Sequence, residues 1–275
     1  MPITPAHAVV AIPLRRLGLP VGALAIGSMV PDVAVFLPRV FPYDLTHSAR
    51  GVVTVDLLVG LVALIAWWRW LREPTIDLLP RALRERIPVH SPLQSSLRIP
   101  MNSRRRGRAG WFRARVLAAL LLGGATHVLW DSFTHDAGRT AAWLPTLERD
   151  WGPWPGYQWL QVGSGVVGLA TILAWWGSAW RQAAPVRRSA GSTGERAVRW
   201  LVLIGMAVAG VVVAVVLLRL RENVWWVTAL RVLLRGAVLG GVVGLVAGVA
   251  WWHLRSATRP SCPPQTEDAA TTMVT

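Results

Sequence analysis

The sequence predicts an all-α fold, a polytopic bundle of helices in the cell membrane. Of the 275 residues, 53% are hydrophobic and only 16% are charged, whereas about 25% are charged in an average soluble domain. The hydrophobic residues are concentrated in runs of roughly 20, the length that a helix needs to cross the hydrocarbon core of a bilayer. Arginines lie mainly in the connections between these runs. Together these observations predict an integral membrane protein that contacts lipid along most of its length.

Five runs are long and apolar enough to form transmembrane helices. They cover residues 51–71, 114–134, 158–180, 199–218 and 232–254. An earlier apolar stretch, 8–30, is interrupted by Pro13, Arg15, Arg16 and Pro20. Because proline and charge disfavour a continuous spanning helix, we expect a short interfacial or re-entrant helix there. The prediction is therefore about five transmembrane helices preceded by this N-terminal element.

The chain is expected to have three parts. Residues 1–180 hold the first three spans and the polar residues considered below, and 181–255 add two further spans. The tail, 256–275, is rich in Pro, Thr and Ser and is predicted to be disordered. Repeated Gly and Val in 236–249 favour close helix packing or a homo-oligomer. The lone Cys262 can build neither a disulfide framework nor a thiolate metal cage.

Charge is one-sided, since all 29 basic residues are arginine and the net charge is +15. The arginines cluster between apolar runs, where they set orientation and contact anionic lipids, so we expect no nucleic-acid partner. Loop 72–113 has ten arginines and three acidic residues, and loop 181–198 has four arginines and one acidic residue. Loop 135–157 has only two arginines and three acidic residues. Short arginine-rich loops remain in the cytoplasm. Loops 72–113 and 181–198 are therefore predicted to be cytoplasmic, and 135–157 to lie outside.

Six ionisable residues lie at or beside membrane depth, where such side chains are costly and usually functional. They are His7, Asp32, His47, His127, Asp131 and His135. His47 just precedes the first span, and the run His127-x3-Asp131-x3-His135 ends the second span. Both therefore lie toward the same, non-cytoplasmic face, where we expect the side chains to meet.

Helix geometry places His127 and Asp131 on one face, about 40° and about 6 Å apart, where they could hold one metal ion. His135, about 12 Å from His127 along an unbroken helix, cannot easily share that ion. Either the helix ends near Thr134, or two ions are bound with Asp131 between them, roughly 3.5–4 Å apart. Mixed imidazole and carboxylate ligands suit zinc, with iron or manganese as alternatives.

Some of these residues also have ordinary structural explanations. A histidine in an apolar run is more often a hydrogen-bonded packing residue than a ligand. Asp32 follows a turn-like sequence in which a carboxylate commonly accepts backbone hydrogen bonds. Asp56, in the first span, has no partner that the sequence identifies. In favour of a metal site, Gly123 and Gly124, one turn before His127, would allow another helix to approach closely and to contribute ligands.

Four ordered motifs carry a resemblance to a known family. They are MPITPAHA from residue 1, IGSMVPD from residue 26, THS from residue 46 and GATHVLWDSFTH from residue 124. YQWLQ from residue 157 and Ser164 fit the same pattern. Over roughly residues 1–180, the chain resembles the bacterial membrane family called domain of unknown function 4184. Residues 181–275 lie outside the most recognisable portion of the resemblance.

The ligand order is also similar to that of zinc-dependent phospholipase C and of inner-membrane proteins labelled metal-dependent hydrolases. This resemblance implies that six residues bind one or two zinc ions, with Asp131 as the bridge. They are His7, Asp32, His47, His127, Asp131 and His135. The chain lacks the downstream His-x3-Glu pair of that pattern, and Glu148 and Asp150 are the nearby carboxylates available in its place.

If a bound metal ion has an open coordination position, we expect hydrolysis, because such an ion lowers the pKa of a bound water to about 7 and polarises a phosphoryl or acyl oxygen. Asp32 or Asp131 would accept the proton of that water. Hydrolysis of a lipid-like phosphoester at the outer face is the leading hypothesis. The alternative is a non-catalytic membrane protein with a structural metal or a polar cluster. Ion transport is less favoured, since the last two spans carry almost no ionisable residue apart from Arg235.

Overall fold

The computed structural model describes residues 4–87, 103–135, 144–186 and 226–258, together with short pieces between 200 and 219. The described chain is helical, and no strand occurs in it. The main helices are α1 (residues 4–17), α2 (Val21–Phe36), α3 (Ala49–Leu78), α4 (Ser103–Thr134), α5 (Gly156–Gln182) and α6 (Trp226–Thr258). Single helical turns are formed by Tyr43–Thr46, Arg81–Arg84 and Pro145–Leu147. The predicted all-α fold is confirmed.

Four helices are long and apolar enough to cross a membrane. They are Ala49–Leu78, Gly110–Thr134, Gly156–Gln182 and Gly236–Arg255. These helices correspond to the first, second, third and fifth predicted spans. The predicted span 199–218 is described only in pieces, with a shorter apolar helix at Leu203–Val212, and it stays a prediction. The predicted disorder of 256–275 falls almost entirely outside the described residues.

The interrupted N-terminal stretch, 8–30, forms a helical hairpin of α1 and α2. α1 ends at Leu17, and Gly18 adopts a left-handed conformation with φ of 69°. Glycine has no Cβ to oppose that conformation. Pro20 then directly precedes α2, where its fixed φ suits the start of a helix better than the interior of one. The chain therefore reverses direction here and does not form one continuous span.

The hairpin lies lengthwise against α4. Gly18, at its turn, is beside Arg115, whereas its two other ends, at His7 and Asp32, both approach His127. The twelve residues from Arg115 to His127 correspond to about 18 Å of helix. α1 thus leads away from His127 and α2 returns to it. Two predicted ligands that are 25 positions apart in the sequence are consequently neighbours.

α2 and α4 approach until their backbones touch. A Cβ atom on Gly123 would lie 2.5 Å from the carbonyl oxygen of Leu24 and 2.7 Å from the amide nitrogen of Ser28. A Cβ atom on Gly27 would likewise overlap the backbone of Leu120. The prediction that Gly123 admits a neighbouring helix is confirmed. That helix is α2, whose C-terminal half carries the first predicted aspartate ligand.

The hydrophobic core lies where the hairpin meets α3 and α4. Its buried residues are Ala11, Ala23, Leu24, Leu64, Val116, Ala119 and Leu120. Gly124 of α4 faces Val52 of α3, whose Cγ1 would lie 3.3 Å from a Cβ at that position. Large apolar side chains such as Leu58 and Val167 are exposed on the outer faces of the spanning helices. Lipid contact would cover these faces, since a water-soluble surface rarely leaves such large apolar areas uncovered.

The orientation of the bundle stays a prediction that cysteine labelling can test. In a Cys262→Ser background, we expect a membrane-impermeant maleimide to label Pro145→Cys, but not Arg105→Cys, in intact cells. The physical reason is the retention of the arginine-rich loop in the cytoplasm. Inside-out vesicles should give the opposite pattern. Labelling of both positions from the same side would contradict the assignment of α4 as a membrane span.

Candidate metal centre

The predicted polar side chains meet where α2 ends, α3 begins and α4 ends. Asp32 closes the tight turn Val30–Asp32 within α2, and His47 lies two residues before α3. His127 and Asp131 lie one turn apart on α4. One ligand atom from each of Asp32, His47, His127 and Asp131 lies within 4.8 Å of the others. The expectation that side chains from these separate segments converge is confirmed for these four residues.

The distances within this group resemble those between ligands of a common ion. Nε2 of His127 lies 3.6 Å from Oδ1 of Asp32 and 3.4 Å from Oδ2 of Asp131. Nε2 of His47 lies 3.8 and 3.5 Å from the same two oxygens. These separations exceed the roughly 2.7–3.2 Å of an N–H···O hydrogen bond. They approach the edge of about 3.3 Å of a tetrahedron whose nitrogen and oxygen ligands lie about 2.0–2.1 Å from zinc.

Both carboxylates are buried without hydrogen bonds. Asp32 is 0% exposed and Asp131 is 4% exposed, and none of their carboxylate oxygens has a hydrogen-bond partner within the described residues. Asp32 also makes no side-chain capping bond to the turn that follows it, so the interpretation as an ordinary turn aspartate is not supported. Burying an ion without compensation costs several kcal/mol. A bound cation would supply the charge that two adjacent carboxylates require.

Hydrogen bonds behind the imidazoles determine which nitrogen faces the carboxylates. Nδ1 of His127 lies 2.7 Å from the carbonyl oxygen of Ser28, and because a carbonyl only accepts, Nδ1 must donate. Nδ1 of His47 lies 3.0 Å from Oγ1 of Thr46, and that hydroxyl donates to the carbonyl of Tyr43. The hydroxyl oxygen thus accepts from His47. Both Nε2 atoms direct a lone pair into the group, as metal-ligating histidines do.

His7 contacts the other carboxylate oxygen of Asp131. Its Nε2 lies 3.3 Å from Oδ1 of Asp131, and its ring stacks on His127 with 3.8 Å between centroids. Oδ2 of Asp131 faces His47 and His127 instead. His7 lies outside the four candidate spans, and burial lowers the pKa of its imidazole, which favours the neutral form that binds metals. The two oxygens of Asp131 thus face different histidines, and the number of ions stays a prediction.

His135 lies at the rim of the centre and has different partners. α4 ends at Thr134, which was one of the two predicted alternatives. Nδ1 of His135 lies 3.2 Å from the carbonyl oxygen of Asp131 and 3.6 Å from Oδ2 of the same residue. Its Nε2 accepts from the side-chain amide of Gln161 on α5 at 3.2 Å. The imidazole therefore connects α4 to α5, and its role as a metal ligand stays a prediction.

Three supporting residues were not identified from the sequence. They are Ser28, Thr46 and Gln161, which contact His127, His47 and His135. All three occur within the motifs that carry the family resemblance, but a carbonyl, a hydroxyl or an amide behind a ligand leaves no characteristic spacing. The two carboxylates considered as replacements for a missing ligand pair, Glu148 and Asp150, are exposed and lie outside the group of four.

Comparison with known proteins gives one match. A family model described as Domain of unknown function (DUF4184) matches residues 1–254. The match continues well past residue 180, where the recognisable motifs end, and so includes most of α6. No curated protein and no solved structure matches the chain. The resemblance of the ligand order to that of metal-dependent hydrolases therefore stays a prediction from the sequence motifs.

Proposed function

The chain belongs to the family of domain of unknown function 4184, and we propose from the chemistry of its site that it is a membrane-embedded metal-dependent hydrolase. The proposed reaction is hydrolysis of a phosphoester in a lipid-like substrate. One observation carries this proposal: buried carboxylate oxygens without hydrogen-bond partners lie within 4.8 Å of two imidazole nitrogens in one group. That donor set suits zinc.

The four converging residues would hold the ion, namely Asp32, His47, His127 and Asp131. When bound with an open coordination position, zinc lowers the pKa of water to about 7 and polarises a phosphoryl oxygen. Asp32 is fully buried and its carboxylate oxygens have no hydrogen-bond partner within the described residues, so both oxygens are available to an ion. Hydrogen bonds from His127 and His47 to Ser28 and Thr46 keep both imidazoles oriented.

Asp131 is better placed than Asp32 to act as the general base. Its Oδ2 faces the other proposed ligands, whereas its Oδ1 faces Nε2 of His7 at 3.3 Å. One oxygen can therefore remain with the ligand group while the other accepts the proton of the attacking water. Nε2 of His7, at 3.3 Å from Oδ1 of Asp131, is the next acceptor along this path. The proton can return by the same route to the oxygen of the leaving alcohol.

The position of the site supports a lipid-like substrate. The centre lies near one end of three candidate spans, because His47 precedes α3, Asp131 is close to the end of α4, and Gln161 is near the start of α5. The side chain of His135 is 26% exposed, so the rim at this end is open to solvent. A phosphate group at the membrane boundary would reach the centre from that rim.

Metal content and turnover of His127→Ala test the proposal together. We expect purified wild-type protein to retain one or two zinc ions per chain and to hydrolyse bis-p-nitrophenyl phosphate, as a bridged or single site predicts. His127→Ala should lose both properties, by more than the about 10–100-fold that removal of a supporting residue costs. His253→Ala, on α6, is the control and should retain both. Elemental analysis and nitrophenol release are the measurements.

A structural metal is the alternative, and the extent of burial favours it. Asp32 and His127 are both nearly inaccessible, and structural zinc sites are closed, whereas catalytic sites keep an open position. Stoichiometric zinc without turnover of any phosphoester would identify this alternative. A protein that never binds zinc, iron or manganese would instead contain only a polar cluster.

A further inference from the structure

A cleft of about 490 Å³ lies beside the centre, between α1, α4 and α5. Its volume falls within the about 300–1,000 Å³ of typical small-molecule pockets. His7 lines the cleft at the centre, while Leu129 of α4 and Val167 of α5 line it where those helices are exposed. Because α4 and α5 are candidate membrane spans, the cleft opens sideways, toward the region that lipid tails occupy.

Apart from His7, the polar side chains of the lining already have hydrogen-bond partners within the protein. The hydroxyls of Thr126 and Thr171 donate to carbonyl oxygens of their own helices, at 2.7 and 2.8 Å. The Oγ atom of Ser164 accepts from Nε1 of Trp130 at 3.1 Å. What the cleft presents is therefore mostly methyl, methylene and ring surface, with no charged side chain among its described lining residues. Such a surface suits a hydrocarbon chain and disfavours a headgroup.

The direction of the cleft also suits a hydrocarbon chain. Gln161 marks the rim of the centre through its contact with His135, and Thr171, which lines the far part of the cleft, follows ten residues later on α5. Ten residues of helix are about 15 Å long. This length is half of the about 30 Å hydrocarbon thickness of a bilayer. A chain that starts at the centre and follows the cleft would therefore extend through one leaflet.

We propose that the cleft binds one hydrocarbon chain of a long-chain phosphoester while the phosphate of the same molecule lies at the metal centre. The position of His7 connects the two parts, since it lines the cleft and also lies 3.3 Å from Asp131. The part of the proposal that concerns the phosphate rests on the proposed hydrolase function. Binding of the chain does not, and it can be measured separately.

Photolabelling tests the binding of the chain. The probe is phosphatidylglycerol with a diazirine near the end of one acyl chain, incorporated into nanodiscs with the full-length protein. We expect labelling of α1 between Val9 and Pro13, which line the cleft. Val167→Trp fills the cleft and should lower this labelling about tenfold, the loss expected when roughly two methylene groups are excluded. Val166→Trp is the matched control, because Val166 is exposed on the same helix outside the cleft.

The outcomes separate the two proposals. Unlabelled α1 in wild-type protein, or equal α1 labelling in both tryptophan variants, would overturn the binding of a chain in the cleft.

Turnover is then compared on phosphatidylglycerol vesicles and on bis-p-nitrophenyl phosphate, and the ratio of the two rates should fall about tenfold in Val167→Trp alone. An unchanged ratio would overturn the coupling of cleft and centre. Labelled α1 with no turnover of either substrate would overturn the hydrolase but not the chain site.

Discussion

Replacement of Asp131 by asparagine is expected to remove all stabilisation of the protein by zinc. Zinc at about 100 times its Kd should stabilise the folded wild type by about 2.7 kcal/mol. For a chain of this size, that stabilisation raises Tm by roughly 5–10 °C. Asp131→Asn should show no rise, and its zinc content after purification should fall to background. Differential scanning fluorimetry in detergent, with and without zinc, is the measurement.

The large effect follows from the central position of Asp131. Its carboxylate lies 3.3 Å from His7, 3.4 Å from His127 and 3.5 Å from His47. Asparagine has nearly the same shape, but it removes a negative charge and replaces one acceptor by an NH2 donor. That donor would face an imidazole lone pair, so the ligand group would lose both charge and correct polarity.

A matched control is available in the same region. Asp44 lies on the helical turn before His47, but it is exposed and outside the ligand group. Asp44→Asn should therefore retain the zinc content and the zinc-induced rise in Tm of the wild type. If Asp131→Asn were stabilised by zinc as strongly as Asp44→Asn, Asp131 would not be a ligand, and the proposed centre would have to be abandoned.

Addition of one methyl group at Gly123 is expected to destabilise the protein and to weaken zinc binding together. In Gly123→Ala, the new Cβ would lie 2.5 Å from the carbonyl of Leu24 and 2.7 Å from the amide of Ser28. Neither atom belongs to a flexible side chain, so α2 must move away from α4. Overpacking of this kind typically costs about 1–3 kcal/mol. Because Ser28 and Asp32 both lie on α2, the same movement would carry the carbonyl of Ser28 and the carboxylate of Asp32 away from His127.

The control for this variant lies on the same helix. Gly110→Ala places its Cβ in open space, and alanine is favoured over glycine in a helix by about 1 kcal/mol. We therefore expect an unchanged or higher Tm for Gly110→Ala and a lower Tm for Gly123→Ala. Zinc affinity, measured by competition with a chelator, should fall only in Gly123→Ala. Normal stability and affinity in Gly123→Ala would contradict the close backbone contact of α2 and α4.

The sequence predicted the parts of the fold that depend on local pattern. Apolar length identified α3, α4, α5 and α6, and helical periodicity placed His127 and Asp131 on one face. The glycine at position 123 predicted that a helix would approach, but not which helix, because absence of a side chain is compatible with any neighbour. The hairpin of α1 and α2 was predicted only as an interrupted element, since its reversal depends on Gly18 and on packing against α4.

The site was predictable to a similar degree. Motif order gave Asp32 and His47 as companions of the α4 residues, whereas the distances among them depend on tertiary packing. The connection of His135 to Gln161 could not be foreseen, because it joins the end of one helix to another across an intervening loop. Asp56 remains unexplained: it is buried in α3, and its carboxylate oxygens have no hydrogen-bond partner within the described residues.

The hairpin of α1 and α2 also constrains the order of biosynthesis. It packs against α3, α4 and α5, and Asp32 and His127 are 95 positions apart in the sequence. At a ribosomal rate of about 5–20 residues per second, Asp32 of the hairpin therefore emerges roughly 5–20 s before His127 of α4. An uncompensated carboxylate is costly in hydrocarbon. We therefore expect the nascent N-terminus to remain at the aqueous surface of the membrane until α4 is made, and the proposed metal centre could form only after that.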